Sequence, residues 1–197
     1  RSRGLGDVYK RQHLKCLRFG GLNMASRIEE PSFDVIKSYD DFEVRRYVDT
    51  VQARVQTSSR GGGAASGGFR RVAGYIFGGN AQKASIAMTA PVSMWEEDGS
   101  SWLAFTMPSA YSLDSLPLPD DEGVRLVPHA GSTVAVMRFS GRNTPGKGDR
   151  MEQKLRAAVE REGYQPVGPG VLALYDNPWT TLPFLRRNEL HLEIVTR

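Results

Sequence analysis

The stretch Gly68–Val92, GFRRVAGYIFGGNAQKASIAMTAPV, combines a short amphipathic helix, a glycine stop and a buried strand in one run of the chain. Gly78, Gly79 and Asn80 predict the end of the helix, because these residue types tolerate the positive φ at which helices commonly stop. The following Ile86–Val92 predicts a strand that its proline ends or bends. The apolar residues at the spacing of one helix face are Phe69, Val72, Ala73, Ile76 and Phe77.

The composition predicts one domain and gives no support to a nucleic-acid partner. The chain has 197 residues, of which 40% are hydrophobic, so it can bury a single core. Its formal net charge is +4, but the first twenty residues hold six Lys or Arg and one Asp, a charge of +5 that leaves −1 for residues 21–197. The positive charge therefore describes the head of the chain. No run of apolar residues is long enough to predict a membrane span.

The basic head, residues 1–23, is predicted to be a disordered or non-native extension, and residues 24–197 form the predicted domain. A targeting segment is the alternative, because the head is almost free of acidic residues, although it contains only one Ser. The single cysteine, Cys16, also lies in the head, so no intrachain disulfide can form. We therefore expect a cytoplasmic protein, with a chloroplast or another organelle as the alternative if the head is genuine.

The order of predicted elements repeats along the chain. Each half contains a strand, a small-residue loop, a helix and two strands, and equivalent positions are separated by nearly the same number of residues. In the second half, Asp149 with Glu152 predicts a helix start and Gly163 its end. This pattern predicts an α+β fold of duplicated βαββ units, whose strands form one antiparallel sheet or distorted β-barrel flanked by two helices. The equivalent pairs are Val51 and Val134, Phe69 and Leu155, Ile86 and Val171, and Trp102 and Leu190.

Five segments resemble the SOUL family of haem-binding proteins, and they occur in the family's order from about Tyr39 to Ile194. The resemblance implies a duplicated βαββ fold with a distorted barrel and two helices, similar to gyrase-inhibitor-like effector-binding domains. The repeat of elements agrees with that fold independently. The five segments are FEVRRY (Phe42–Tyr47), GFRRVAGYIFGGN (Gly68–Asn80), IAMTAPV (Ile86–Val92), ALYDNPWT (Ala173–Thr180) and RRNELHLEI (Arg186–Ile194).

The resemblance also implies a function, which is reversible, non-covalent binding of b-type haem or another tetrapyrrole by an intracellular carrier or buffer. In the family, proposed sites lie on the first helix and the adjoining barrel wall, with apolar side chains against the macrocycle and basic ones near the propionates. No enzymatic turnover is expected. The positions that this implies are Phe69, Arg70, Ala73 and Phe77 on the helix, Met88 on the next strand and Trp179 in the PWT turn.

A strong axial ligand to haem iron is not expected. Some members carry a histidine, proposed as axial ligand, where this chain has Arg46, so ligation from that position is excluded. Of the other histidines, His129 in a turn is predicted to be solvated, and His191, which alternates with leucines on the last strand, is predicted to be structural. Met88 and Met107 are weaker candidates, because methionines in strands usually fill the core. A largely hydrophobic haem site is therefore predicted.

Arg70 and Arg71 follow the glycine loop at the start of the first helix, where backbone N–H groups favour anions. One interpretation has them bind a propionate of the ligand. The other is a solvated helix face, and the sequence leaves both open.

A catalytic site is not predicted, since no Ser-His-Asp or Cys-His arrangement and no HExxH motif is present. The alternative function is a hydrolase-like enzyme of the effector-binding superfamily that acts on a small hydrophobic substrate, with Glu189 and Tyr175 as acid and base. The competing interpretation of Glu189 is a carboxylate paired with Arg186 or Arg187.

Overall fold

The computed structural model describes residues 28–57, 62–177 and 180–196, and it contains nine strands and two α-helices. The predicted extension of residues 1–23 lies outside the described residues. No helix in the described part of the chain combines the length and the apolar composition needed to cross a bilayer. In chain order the elements are β1 (Phe33–Ser38), β2 (Glu43–Tyr47), β3 (Thr50–Thr57), α1 (Gly62–Ile76), β4 (Val92–Glu97), β5 (Ser100–Thr106), β6 (Val124–His129), β7 (Thr133–Phe139), α2 (Pro145–Arg161), β8 (Tyr164–Leu174) and β9 (Asn188–Thr196).

The strands form one antiparallel sheet in the order β1-β2-β7-β9-β8-β4-β5-β3-β6. This order is symmetric about the β8–β4 pair, with β9, β7 and β2 on one side matched by β5, β3 and β6 on the other. The units β3-α1-β4-β5 and β7-α2-β8-β9 are therefore the two predicted βαββ copies. The predicted α+β fold is confirmed, although the sheet is curled and open, because β1 and β6 remain its edges in the described structure.

Each helix covers its own half of the sheet and encloses its own core. Helix α1 packs on β3, β5 and β6, where Val72, Ile76 and Phe105 are almost fully buried. Helix α2 packs on β7, β8 and β9 around Leu155 and Leu192. Full burial of a side chain of this kind stabilises the fold by about 1.5–3 kcal/mol, so the two apolar clusters fix both helices on the sheet.

The face that α1 buries differs from the predicted one. Val72 and Ile76 are buried as predicted, but Tyr75 is only 1% exposed, whereas Phe77 is 63% exposed. The hydroxyl of Tyr75 donates a hydrogen bond of 2.9 Å to the carbonyl of Pro117, which allows a polar ring to be buried. The amide of Phe77 still donates to the carbonyl of Ala73 over 3.0 Å, so Phe77 continues the last turn of α1, on the same side of the helix as the exposed Arg70 and Gly74.

The predicted strand Ile86–Val92 is wrong, because the ladder of β4 begins only at Val92. The residues before it form an irregular segment joined by the isolated bridges Phe77–Ser85 and Glu29–Thr89. The amide of Ile86 donates to the carbonyl of Ile76 over 2.8 Å, which ties the segment to the end of α1. The segment therefore returns from the helix to the sheet as an anchored connection.

Helix α2 begins earlier than predicted, at Pro145 instead of Asp149. Proline suits the first helical position, because its φ is already helical and its missing N–H would have no partner there. The predicted end is confirmed within two residues, since α2 stops at Arg161 and Gly163 has a φ of 85°.

Candidate functional site

The solvent-facing side of α1 carries four residues at helical spacing, Arg70, Ala73, Gly74 and Phe77, which we call the outer face of α1. Arg70, Gly74 and Phe77 are exposed, and Ala73 is half-buried. A Cβ atom at Gly74 would meet no atom within 4 Å. The outer face is therefore a flat strip of small residues with an aromatic ring at one end and a cation at the other.

Phe69 lies to one side of this strip, half-buried against the core of the first half. Its ring centre is 5.2 Å from that of Phe105, at an angle of 60°. Such a tilted pair contributes roughly 0.5–1.5 kcal/mol beyond area burial. Phe69 therefore packs mainly against the core, and the other predicted positions on α1 form its outer face.

The predicted position of Arg70 and Arg71 at the helix start is wrong, because α1 begins at Gly62 and both arginines lie in its second half. Their environments also differ. Arg71 donates to Asp121 from Nε over 2.7 Å and from Nη2 over 2.6 Å. The hydrogen bond from Arg71, together with the amide of Gly123, lowers the pKa of Asp121 to about 2. Arg70 forms no ion pair within the described residues. Of the two cations predicted to meet an anion, Arg71 thus braces the helix, and Arg70 keeps its donors available.

Asn80 organises the turn after α1 and is fully buried. Its Nδ2 donates to the carbonyls of Tyr75 and Ala84 over 2.9 and 2.8 Å. Its Oδ1 accepts from the amides of Gln82 and Ala84 over 3.3 and 3.0 Å. The sequence predicted only a helix stop here, but in the structure the Asn80 side chain is a hub of four hydrogen bonds that fixes the turn from Tyr75 to Ala84.

Met88 lies on the segment that this hub directs and is 37% exposed. The segment is held on its far side by Thr89, whose hydroxyl donates to the carbonyl of Thr106. Trp179, the last predicted site residue, lies outside the described residues. The same β8–β9 connection exposes Leu182, Phe184 and Leu185 by 58%, 68% and 65%, an apolar surface that no periodic pattern in the sequence marks.

The opposite side of the sheet contains a buried ionic network centred on Glu189, which is 3% exposed. The carboxylate accepts from Arg45 Nη1 at 3.0 Å and from the hydroxyl of Tyr175 at 2.8 Å, and Nε2 of His191 lies 2.9 Å away. Burial opposes ionisation of Glu189, but His191 and the charge of Arg45 outweigh burial and lower its pKa to about 2. Glu189 is therefore an ionised carboxylate with three hydrogen-bonding partners.

The predicted ion-pair partners of Glu189 were wrong. Arg187 pairs with Glu30 and lies over the ring of Tyr175, and Arg186 donates from Nε to the carbonyl of Thr181. The true partner, Arg45, is separated from Glu189 by 144 positions, and β7 lies between their strands in the sheet.

The same network sets the protonation states of Glu189 and Tyr175, the predicted acid–base pair. Burial and then the charge of Glu189 raise the pKa of Tyr175 well above its ordinary value. Near neutral pH the carboxylate is thus firmly ionised and the phenol firmly protonated. Efficient general acids and bases have a pKa near the working pH, so this pair suits a structural role better than catalysis.

Three further residues were considered as iron ligands from the sequence, namely His129, His191 and Met107. His191 faces away from the fully buried Leu190 and Leu192, and its contact with Glu189 agrees with the structural role predicted for it. His129 is exposed, as predicted, although it ends β6 instead of lying in a turn, and its Nδ1 is 3.2 Å from Nη2 of Arg54. Met107 is 4% exposed and fills the core. Within the described ranges, no three His, Cys, Asp or Glu side chains are grouped so that they could hold a metal ion.

Comparison with known proteins identifies a family and a fold. The chain matches the family model described as SOUL heme-binding protein over residues 28–193. It is similar to Heme-binding protein 2 of Mus musculus, with 28% identity over 152 residues that cover 69% of this chain and 72% of the mouse protein. Its fold is similar to that of the EcmrR C-terminal domain, with a TM-score of 0.62 at 7% identity over 78% of this chain and 96% of that domain.

A second solved structure of the same fold is a hydrolase from Listeria innocua, with a TM-score of 0.59 at 12% identity over 79% of this chain and 92% of the hydrolase. At such low identity, both structural similarities concern the fold alone. The family match spans most of the chain and includes both βαββ units. The protein described here therefore belongs to the SOUL haem-binding family.

Proposed function

We propose that this protein binds haem or a related tetrapyrrole non-covalently at the outer face of α1, and that it acts as a cytoplasmic carrier or buffer without turnover. The observation that carries the proposal is Phe77, an aromatic side chain that is 63% exposed beside Ala73 and Gly74. Covering such a ring with an apolar ligand removes apolar surface from water, which is favourable. Membership of a haem-binding family supplies the chemical class of the ligand.

The shape of the outer face suits a flat ligand. Ala73 and Gly74 leave room for a macrocycle to lie along the helix, while Phe77 and Met88 offer apolar contacts at its C-terminal end. Arg70, about two turns away, is available for a propionate, because it has no ion-pair partner in the described structure. Trp179 and the exposed edge of Phe69 complete the proposed set.

The hydrolase-like alternative receives less weight. Structures of this fold include hydrolases, but Glu189, the predicted acid or base, has its pKa lowered to about 2 by partners that outweigh burial. A carboxylate so strongly held is a weak base near neutral pH. We therefore propose binding without chemistry on the ligand.

We expect Phe77→Asp to weaken haemin binding by roughly 30-fold, because about 2 kcal/mol of apolar contact is lost. The measurement is a titration of haemin into the full chain, followed by absorbance in the Soret region. Ile36→Asp is the matched control, since Ile36 is 49% exposed on β1, far from α1 in the sheet order. Equal affinity of the two variants, or binding that never saturates in the wild type, would contradict the proposal.

The two arginines provide a second test. Arg70→Ala should weaken haemin binding by about three- to tenfold, and more at low ionic strength, because a charge-assisted hydrogen bond to a propionate is lost. Arg71→Ala removes the same formal charge from the same helix turn but breaks only the pair with Asp121. It should therefore leave haemin affinity unchanged. If both variants lose affinity equally, the effect is one of general positive charge, and the assignment of Arg70 is wrong.

A further inference from the structure

The curled sheet encloses a groove of about 370 Å³ on the face turned away from the helices. On β3, for example, Gln52 and Arg54 line this groove, while the alternating residues Ala53 and Val55 are buried under α1. Both halves of the repeat contribute walls. The volume lies at the small end of the range for ligand pockets, about 300–1,000 Å³, so the groove fits one or two rings better than a macrocycle.

Aromatic side chains form part of the walls. Tyr47, Trp95, Tyr175 and His191 all line the groove, and the rings of Tyr47 and His191 have centres 5.6 Å apart. At this end the charge of Glu189 is already compensated by Arg45. The aromatic walls therefore offer contact to a flat ligand without an uncompensated charge.

The other end of the groove holds a cation, Arg54, which forms no hydrogen bond or ion pair with a carboxylate of the described residues. Arg54 is half-buried, its Nε donates to Oε1 of Gln52 over 2.9 Å, and its Nη2 lies 3.2 Å from Nδ1 of His129. Both neighbours are neutral when His129 is unprotonated, and burial followed by the charge of Arg54 lowers the pKa of His129. The remaining N–H groups of Arg54 have no partner among the described residues. A half-buried cation whose hydrogen-bonding partners are both neutral is a natural site for an anion.

The nearby carboxylates do not occupy this position. Glu97 accepts the indole N–H of Trp95 over 3.2 Å and forms no ion pair with Arg54 in the described structure; burial lowers the pKa of Arg54, and the charge of Glu97 only partly offsets this effect. Glu97 and Glu193 are exposed at the rim, where water and salt screen their charges. The guanidinium carbon of Arg54 lies 5.3 Å from the ring centre of Trp95, so cation and aromatic wall form one surface.

We propose that this groove is a second ligand site, which binds a small one- or two-ring aromatic carboxylate with its carboxylate on Arg54 and its rings against Trp95. The site lies across the sheet from the outer face of α1 and shares no residue with it. It is therefore independent of the proposed haem site.

The test uses 2-naphthoate as probe, titrated into the full chain by isothermal calorimetry. We expect saturable binding in the micromolar to low millimolar range, and binding of the neutral 2-naphthylmethanol at least about tenfold weaker, since it lacks the charge-assisted bond. Arg54→Leu should weaken 2-naphthoate binding by a similar factor, and Arg54→Gln serves as a second variant if the leucine disturbs the fold. Arg70→Leu, on the other side of the sheet, should leave 2-naphthoate affinity unchanged.

The outcomes separate the two sites. Haemin binding that survives Arg54→Leu, together with 2-naphthoate binding that survives Phe77→Asp, supports two independent sites. Absence of saturable heat with 2-naphthoate, or equal affinity of wild type and Arg54→Gln for it, overturns the groove proposal alone. Competitive displacement of 2-naphthoate by haemin would also overturn it, because the groove would then be the tetrapyrrole site or part of it.

Discussion

Replacing Glu189 by glutamine is expected to lower the free energy of unfolding by about 3–5 kcal/mol, although the residue lies on the side of the sheet away from the helices. Arg45, which is 8% exposed, would lose its buried counter-ion. Its remaining acidic partner would be Glu43, whose side chain is 41% exposed and which therefore stabilises the charge of Arg45 less. For a chain of this size the midpoint of thermal unfolding should fall by roughly 10 °C, measured by circular dichroism.

The same substitution should change how stability depends on pH. The pKa of Glu189 is lowered from 4.5 to about 2 in the folded protein, so its contribution is fully present above about pH 4.5 and is lost as the pH falls towards 2. That contribution amounts to about 3 kcal/mol. Urea unfolding between pH 5 and 2 should therefore show a steep loss of stability in the wild type and a shallower one in Glu189→Gln. Glu193→Gln is the matched control, since Glu193 is exposed on the same strand; if it flattens the profile as much, the assignment to Glu189 is wrong.

The repeat could be predicted from the sequence because its signal is local. Apolar residues recur with helical spacing in α1 and α2 and alternate in β3 and β9, and each pattern lies within a short window. Strand β1 was not predicted, because it has no buried face that would leave a pattern in the sequence. All its residues are exposed, and in the described structure it pairs only with β2. The apolar run before Val92 predicted a strand, but the chain there is held by isolated bridges and no ladder forms.

The candidate sites could be predicted only in part, because their partners are distant in sequence. Both arginines after the glycine loop were recognised, but the choice between Arg70 and Arg71 depends on Asp121, 50 positions away from Arg71. Likewise, Tyr75 and Phe77 are both aromatic, and only the side of α1 that faces the sheet, together with the carbonyl of Pro117, decides which one is buried. The groove around Arg54 arises from curling of the whole sheet, which no single motif encodes.

Asn80→Ala is expected to cost about 3 kcal/mol of stability and to weaken haemin binding without removing any proposed ligand contact. The side chain serves the carbonyls of Tyr75 and Ala84 and the amides of Gln82 and Ala84, and alanine satisfies none of them. In the variant, the backbone groups near the exposed Gln82 can form hydrogen bonds with water. The carbonyl of the buried Tyr75 cannot do so easily, so the loss of its hydrogen bond accounts for most of the destabilisation. The turn also holds Lys83 at a φ of 53°, which costs of order 1 kcal/mol and needs such support.

Asn80→Ala should also affect ligand binding, because the Asn80 hub lies between Phe77 and Met88 in the chain. Phe77 precedes the hub and Met88 follows it, so loosening the turn should increase the freedom of both and raise the entropy lost when a ligand orders them. Amide hydrogen exchange should therefore accelerate across residues 77–89 in Asn80→Ala, with haemin affinity reduced several-fold. Asn143→Ala is the matched control, because Asn143 lies in the loop before α2 and its buried Oδ1 accepts no hydrogen bond. Equal stability of the two alanine variants would show that the turn is held by its backbone alone, whereas slow exchange with lost haemin binding would place Asn80 at the ligand itself.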